Sequence, residues 1–324
     1  MDCLYHYGSN NRCLGIIKDH AIRMSDILKS NDYDELQIFF PDILSEVFKQ
    51  YKDNPFPIQY EGKHDVDAVY SLIDITSDMI ESALMDGRLT NLVICFSEEA
   101  DLLSQWRGYA HDGKGLCLGF SFDLLKKKSE ESEGLFSLEK VIYISESDRQ
   151  ELLHKCASEI LESLKGLREW IVENMTLDDS SPDTDGLLGF NFCGMIESFM
   201  IESLKYKHEG FKEEKEWRLF FSGKVEKNPE WIVGQHEEFI GPTLWKQIIS
   251  RTRNNIEFNI TDDNISPFLR MPFSELEKEN SSENVIKELW LGPKSKITKA
   301  DLELFLAQNG YFDIKIFCSK TSYR

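Results

Sequence analysis

The chain has 324 residues, 41% of them hydrophobic and 12% aromatic, which is enough to bury the core of one large or two ordinary domains. Its 57 acidic residues against 37 Lys and Arg leave a formal charge of −20. Such a surface repels phosphate backbones at long range and excludes a general electrostatic footprint for nucleic acid, so an anionic small molecule needs a local basic pocket. No run of about 18 apolar residues occurs, and MDCLYHYGSN has neither a basic nor an apolar leader region, so a cytoplasmic protein without membrane span or secretory signal is expected. Seven scattered cysteines with no C-x-x-C pair read as reduced, small hydrophobes.

In chain order, CLYHYGS reads as a short strand, and NNRCLGIIKDHAIRMS as a short helix returning to extended chain. An Asn31-Asp32 turn leads into helical periodicity, and residues 64–88 are expected to be helical again. Asn91 to Ser97 is an apolar strand, and Ser97 with Glu98 and Glu99 carries the signature of a helix start. The helix expected there bears Leu102, Leu103, Trp106 and Tyr109 and ends at His111-Asp112-Gly113-Lys114-Gly115. Leu116 to Phe122 follows as a strand with Cys117, Gly119 and Ser121 on one face. Residues 123–207 read as a charged helical insert, interrupted by a strand at Val141 to Ser145 and an acidic loop at Leu177 to Gly186. EKEWRLFFSG is a strand with Trp217, Leu219 and Phe221 on one face and Glu216 and Arg218 on the other. Further strands are expected near EEFIG, ELWLGP and DIKIFCS, and a helix at TKADLELFLAQNG.

Three constellations could carry chemistry. His6 sits on the first strand in Tyr5-His6-Tyr7-Gly8-Ser9, where the bland reading is a structural histidine. Gln105-Trp106-Arg107-Gly108-Tyr109 sets two rings beside polar groups that are costly to bury without partners, and a phosphate, carboxylate or stacked ring would supply one. Glu214 and Glu216 lie two apart with Arg218, either as the solvated face of an edge strand or as two carboxylates in one cleft. Asp112-Gly113-Lys114-Gly115 is too short for a P-loop and reads as a tight turn. Asn31-Asp32-Tyr33-Asp34-Glu35 lacks the regular spacing of a calcium loop and reads as a turn with a helix cap.

The combination of LYHYGS, ND-x-x-E, CFSEE followed by QWRGYA-x-x-G-x-G-x-x-LGF, the E-x-EWR strand and the terminal SKTSYR resembles the bacterial family DUF2971, along the whole chain. That family is more distantly similar to the ADP-ribosyltransferase fold. The resemblance implies one α+β domain over 1–324 with a split, mostly antiparallel β-core and a helical insert at about 123–207. It implies an NAD-consuming transferase or glycohydrolase, in the manner of bacterial toxins or anti-phage effectors, with a protein or nucleic acid as acceptor.

Carried over residue by residue, the catalytic set is His6, Tyr109 and Glu216. Glu216 would stabilise the oxocarbenium-like sugar, His6 would hydrogen-bond a ribose hydroxyl, and Tyr109 or Trp106 would stack on nicotinamide. Tyr7, Ser9, Gln105 and Glu214 complete the expected NAD site, with Arg107, Arg218 or Arg324 meeting the pyrophosphate. No metal and no membrane are called for. Tyr7, where the transferases place glycine after the histidine, departs from their pattern. Two other readings remain open. One is a non-catalytic nucleotide- or protein-binding module using Gln105, Trp106 and Arg107. The other is a nucleic-acid enzyme, including a nuclease built on Asp32, Asp34 and Glu35.

Overall fold

A computed structural model describes residues 1–27, 39–85, 92–132, 135–174, 182–221, 256–260, 265–276 and 284–323. The Asn31 to Glu35 cluster, the strand expected at EEFIG and Arg324 lie outside these residues. In chain order the elements are β1 (Cys3–Gly8), α1 (Asn10–Asp19), β2 (Ala21–Asp26), α2 (Phe39–Asp53), β3 (Gln59–Tyr60), β4 (Lys63–His64), α3 (Asp65–Met85) and β5 (Leu92–Ser97). Then come α4 (Leu103–Gly108), β6 (Leu116–Ser121), α5 (Phe122–Glu131), β7 (Phe136–Lys140), β8 (Ile142–Ile144), α6 (Glu146–Asn174), α7 (Pro182–Ser203), β9 (Tyr206–His208) and β10 (Glu216–Phe221). The last are β11 (Ile256–Ile260), β12 (Ile265–Pro272), β13 (Ile286–Leu291), α8 (Lys299–Gln308) and β14 (Lys315–Cys318).

The chain is α+β, and it divides into two compact units, each assembled from separated stretches. The first comprises 1–30, 91–142 and 210–324 and holds a ten-stranded sheet, antiparallel throughout its described pairs except between β13 and β14. One side of this sheet is apolar because Leu4, Ile94, Phe96, Leu118, Phe120, Leu219 and Phe221 alternate onto it. Ile16 and Ile17 of α1 and Leu302 and Leu306 of α8 close that core, each fully buried side chain contributing about 1.5–3 kcal/mol. Both helices start on hydroxyl caps: Ser9 accepts the Arg12 N–H, and Thr298 forms a capping box with Asp301.

The sheet forks at β5. One edge of β5 pairs along its length with β10, from Glu216 opposite Ser97 to Phe221 opposite Leu92. The other edge is shared: Tyr5 of β1 pairs with Ser97 at one end, and Ser25 and Asp26 of β2 pair with Val93 and Leu92 at the other. From this fork β1 continues to β6, β13 and β14, while β2 continues to β12 and β11.

The second unit, 31–90 and 143–209, carries α2, α3, α6 and α7 around a core of its own that includes Ile43, Val47, Tyr51, Leu72, Leu164, Phe192 and Ile196. The helices expected within about 123–207 are thus joined in one unit by helices from before β5. By contrast α5 and β7, within the expected insert, belong to the sheet unit. Pro182 starts α7 at the first helical position, where its missing N–H has no partner to lose.

Candidate functional site

The approach to β10 places the acids. A 3-10 turn runs from Glu209 to Glu214, and Lys215 adopts φ 47, a left-handed conformation that reverses the chain before the strand starts at Glu216. Glu214 is therefore outside the strand, and simple alternation does not set its direction. β10 is an interior strand flanked by β5 and β7, so the edge-strand reading of its polar face is overturned. Glu216 and Arg218 are 4% and 1% exposed, and they form a two-bond ion pair, Nε to Oε1 at 2.7 Å and Nη2 to Oε2 at 3.2 Å. Burial makes each the condition for the other, since an unpaired charge there would be strongly unfavourable.

Register places the neighbours. Glu216, Ser97, Tyr5, Gly119 and Glu288 form one row across β10, β5, β1, β6 and β13, with their side chains on the face opposite the apolar core. The next row on that face holds Tyr7, Cys117 and Trp290. The Tyr5 hydroxyl donates to Glu288 Oε2 at 3.1 Å, the Trp290 indole donates to the same oxygen at 3.2 Å, and the Tyr109 hydroxyl donates to Glu214 Oε1 at 3.2 Å. Burial and the adjacent Glu288 carboxylate raise the Tyr5 phenol above its ordinary pKa. A Cβ on Gly119 would stand 3.0 Å from the Tyr5 ring and 3.1 Å from Glu288 Cβ, so this glycine leaves the space the ring occupies. The Ser97 hydroxyl donates to the Glu214 carbonyl at 2.7 Å and accepts the Glu99 N–H, fixing the strand end to the turn. The helix expected from Ser97 begins instead at Leu103, without a side-chain cap.

Of the remaining expected site residues, Tyr7 and Trp106 pack on the same face with Tyr5, Tyr109 and Trp290, while His6 and Ser9 fall elsewhere. His6 points to the apolar face, its ring 6.1 Å from Phe96 in an edge contact, on the other side of the sheet from Glu216 and Tyr109. Its Nδ1 lies 2.8 Å from the Cys95 carbonyl, which makes Nδ1 the protonated nitrogen and spans the gap where β1 leaves β5. Nε2 is buried without a hydrogen-bond partner among the described residues. Burial, reinforced by Arg12, lowers the His6 pKa to about 3 against the Cys95 bond, so the ring is neutral. Ser9 caps α1, and Tyr7 is buried, its hydroxyl bonded to the Glu99 carbonyl and the Leu102 N–H. Trp106 is fully buried, edge-on to Tyr7 at 4.8 Å, and donates to Asp101 at 2.7 Å, so it is core and not a stacking surface. Gln105 is buried beside it. Arg107 is exposed and lies over the Tyr323 ring, which answers its need for a partner without a ligand.

Four expected residues, Tyr109, Glu214, Glu216 and Arg218, thus come together, and the structure adds Tyr5, Ser97, Glu288 and Trp290. Tyr5 had a signal in its alternation with Tyr7, and Glu288 in its alternation with Trp290; the pairing that joins these strands had none. The terminal SKTSYR is explained by Asp101, which accepts from Ser319 Oγ at 2.5 Å and Lys320 N at 2.7 Å, and by Asp112, which accepts from Tyr323 at 2.6 Å. Among the described residues no group of three His, Cys, Asp or Glu side chains is placed to hold a metal ion, and no helix is long and apolar enough to cross a membrane.

Fold and site together define an α+β protein whose mostly antiparallel sheet carries an acidic, aromatic face. Residues 105–219 match the model of a family described as a protein of unknown function, DUF2971, the family to which the motifs pointed. The match begins at Gln105 and ends on β10, so it brackets Tyr109, Glu214, Glu216 and Arg218. No curated protein and no solved structure matches the chain.

Proposed function

We propose that this protein is an ADP-ribosyltransferase-like enzyme that cleaves the nicotinamide–ribose bond of NAD on the face bearing Tyr109, Glu214 and Glu216. One observation carries the reading: β10 and its approach turn bring two buried glutamates to the sheet face that also carries the partly buried rings of Tyr5, Tyr109 and Trp290. Nicotinamide in NAD is a cationic ring, which aromatic faces and carboxylates attract. Cleavage breaks the C1′–N bond with its electron pair passing to the pyridinium nitrogen, leaving neutral nicotinamide and a positively charged sugar. A carboxylate directed at that charge stabilises the transition state more than the ground state. Water or an acceptor nucleophile then attacks C1′, and its proton passes to a carboxylate. The forked sheet supports the split core that the resemblance implies.

His6 has no part in this chemistry, because it lies across the sheet; its role is to brace the fork. A second reading, a non-catalytic binding module, is favoured by the Arg218 pair, which already neutralises Glu216. Incubation with NAD while following free nicotinamide separates the two. Turnover in the parent that falls about a hundredfold or more in Glu216→Gln, with binding of NAD retained, supports the enzyme. NAD binding without nicotinamide release, in the presence of protein and nucleic-acid acceptors, supports the module.

A further inference from the structure

At the end of the sheet where β1 finishes, β6 starts and β13 finishes, a cavity of about 690 Å³ opens on the side of α1 and α8. Its polar wall is basic: His111, Lys114, Lys294 and Lys296 line it, in a protein whose formal charge is −20. Lys114 and Lys296 are exposed and have no ion pair or hydrogen bond through their ammonium groups among the described residues. Lys294 bonds Asp112 at 2.8 Å and sits 3.7 Å above the Tyr323 ring, which fixes its position. One carboxylate, Asp301, also lines the cavity, and its Oδ2 accepts from both the Thr298 N–H and the Thr298 hydroxyl in the α8 capping box. The Asn10 side-chain oxygen, on another lining residue, is buried with no hydrogen-bond partner among the described residues; since amide oxygen and nitrogen can exchange places, the same position can present a donor. The opposite wall is apolar, made by Leu14, Ile297, Leu302 and Phe305.

The backbone that sets this wall is itself constrained. His111, Asp112 and Gly113 have φ of 50, 55 and 79, three consecutive left-handed residues, of which the first two carry side chains. The turn is held by Gly113 N–H to Trp106 O and Gly115 N–H to Ala110 O, each 2.8 Å, and by Lys294 N–H to Gly113 O at 2.8 Å. Strain retained by such over-determination is characteristic of functional turns. Its consequence here is that Lys114 and His111 are presented beside Lys294.

We propose that this cavity binds a small phosphate-bearing molecule with an apolar or ring-shaped body, of mononucleotide size, its phosphate on Lys114, Lys294 and Lys296 and its body against Phe305 and Leu14. The volume lies in the range of small-molecule sites, and the ammonium groups of Lys114 and Lys296, beside the paired Lys294, have no ion-pair partner among the described residues of an acidic protein. The site is on the opposite side of the sheet from Glu216 and does not rest on the NAD reading.

Calorimetric titration with AMP and, separately, with inorganic pyrophosphate tests the assignment. Saturable AMP binding is expected, tighter than pyrophosphate because of the apolar wall. It should weaken at least tenfold in Lys114→Ala/Lys296→Ala, a change at exposed positions that leaves the unfolding midpoint unaltered, and it should be unchanged in Tyr109→Phe, which removes one hydroxyl on the other face without stranding a charge. Absence of saturable binding by either probe, equal affinity in the lysine variant, or loss of AMP binding in Tyr109→Phe would each overturn the site; pyrophosphate binding as tight as AMP would overturn the role of the apolar wall.

Discussion

At the scale of single residues, two residues expected in the NAD site, His6 and Arg218, have opposite physical situations. His6 is neutral and buried, with its folded pKa depressed to about 3 from an ordinary 6.5. The unfolded chain therefore binds a proton that the folded chain excludes between those values. Stability from this group is fully present above about pH 6.5 and falls as pH drops towards 3, with a slope of up to about 1.4 kcal/mol per pH unit. Urea unfolding of the parent and of His6→Asn from pH 7.5 to 4.5 should show the variant less stable at neutral pH but losing less as pH falls; parallel slopes would contradict the buried neutral histidine. Arg218 is the reverse case, a charge that must stay charged. Arg218→Leu strands Glu216 and should cost about 3–5 kcal/mol of unfolding free energy, much of it recovered when Glu216→Gln is added, which removes the stranded charge. Sequence alternation locates His6 and Glu216 on their strands but does not say which sheet face each strand presents, so the catalytic set that the resemblance implies joins residues on opposite faces.

Among the elements, the strand ends show why glycine punctuates GKGLCLGF and LGP. A Cβ on Gly115 would lie 2.2 Å from the Gly8 carbonyl oxygen, and one on Gly292 would lie 2.4 Å from the Gly113 oxygen. These are backbone atoms, one at the end of β1 and one in the turn before β6, that cannot move aside. Gly115→Ala should destabilise by at least the upper end of about 1–3 kcal/mol, read as a lowered denaturation midpoint. Gly108→Ala, where nothing lies within 4 Å, should be neutral or stabilising by about 1 kcal/mol or less. A similar response in both would remove the close-approach explanation. The elements with strong patterns, β1, α1, β5, β6, β10, β13 and α8, were legible from the sequence. β7 was not, because FSLEK is short and half polar, and β12 was not, because Pro267, Arg270 and Pro272 interrupt its apolar run.

For the whole molecule, the contact division into two units, each with a separate apolar core, predicts two zones of cooperative opening. Phe192→Ala, which empties a fully buried site in the helical unit, should cost that unit about 3–5 kcal/mol. Hydrogen exchange should then accelerate in α2, α3, α6 and α7 while the amides of β1, β6 and β13 keep their protection. Uniform acceleration in both units would show one cooperative core.

Composition, charge and periodicity determined by themselves that the chain mixes strands and helices and has a large core and an acidic surface, because burial and hydrogen-bond geometry impose local patterns that a sequence must carry. Motif order pointed to the family whose model matches residues 105–219. Only the tertiary structure decided that the chain runs twice through the helical unit, that β10 is interior, and that His6 lies across the sheet from Glu216. The reason is that strand pairing joins residues distant in the chain through identical backbone groups, and the side chains record on which face a residue falls but not which strand lies beside it.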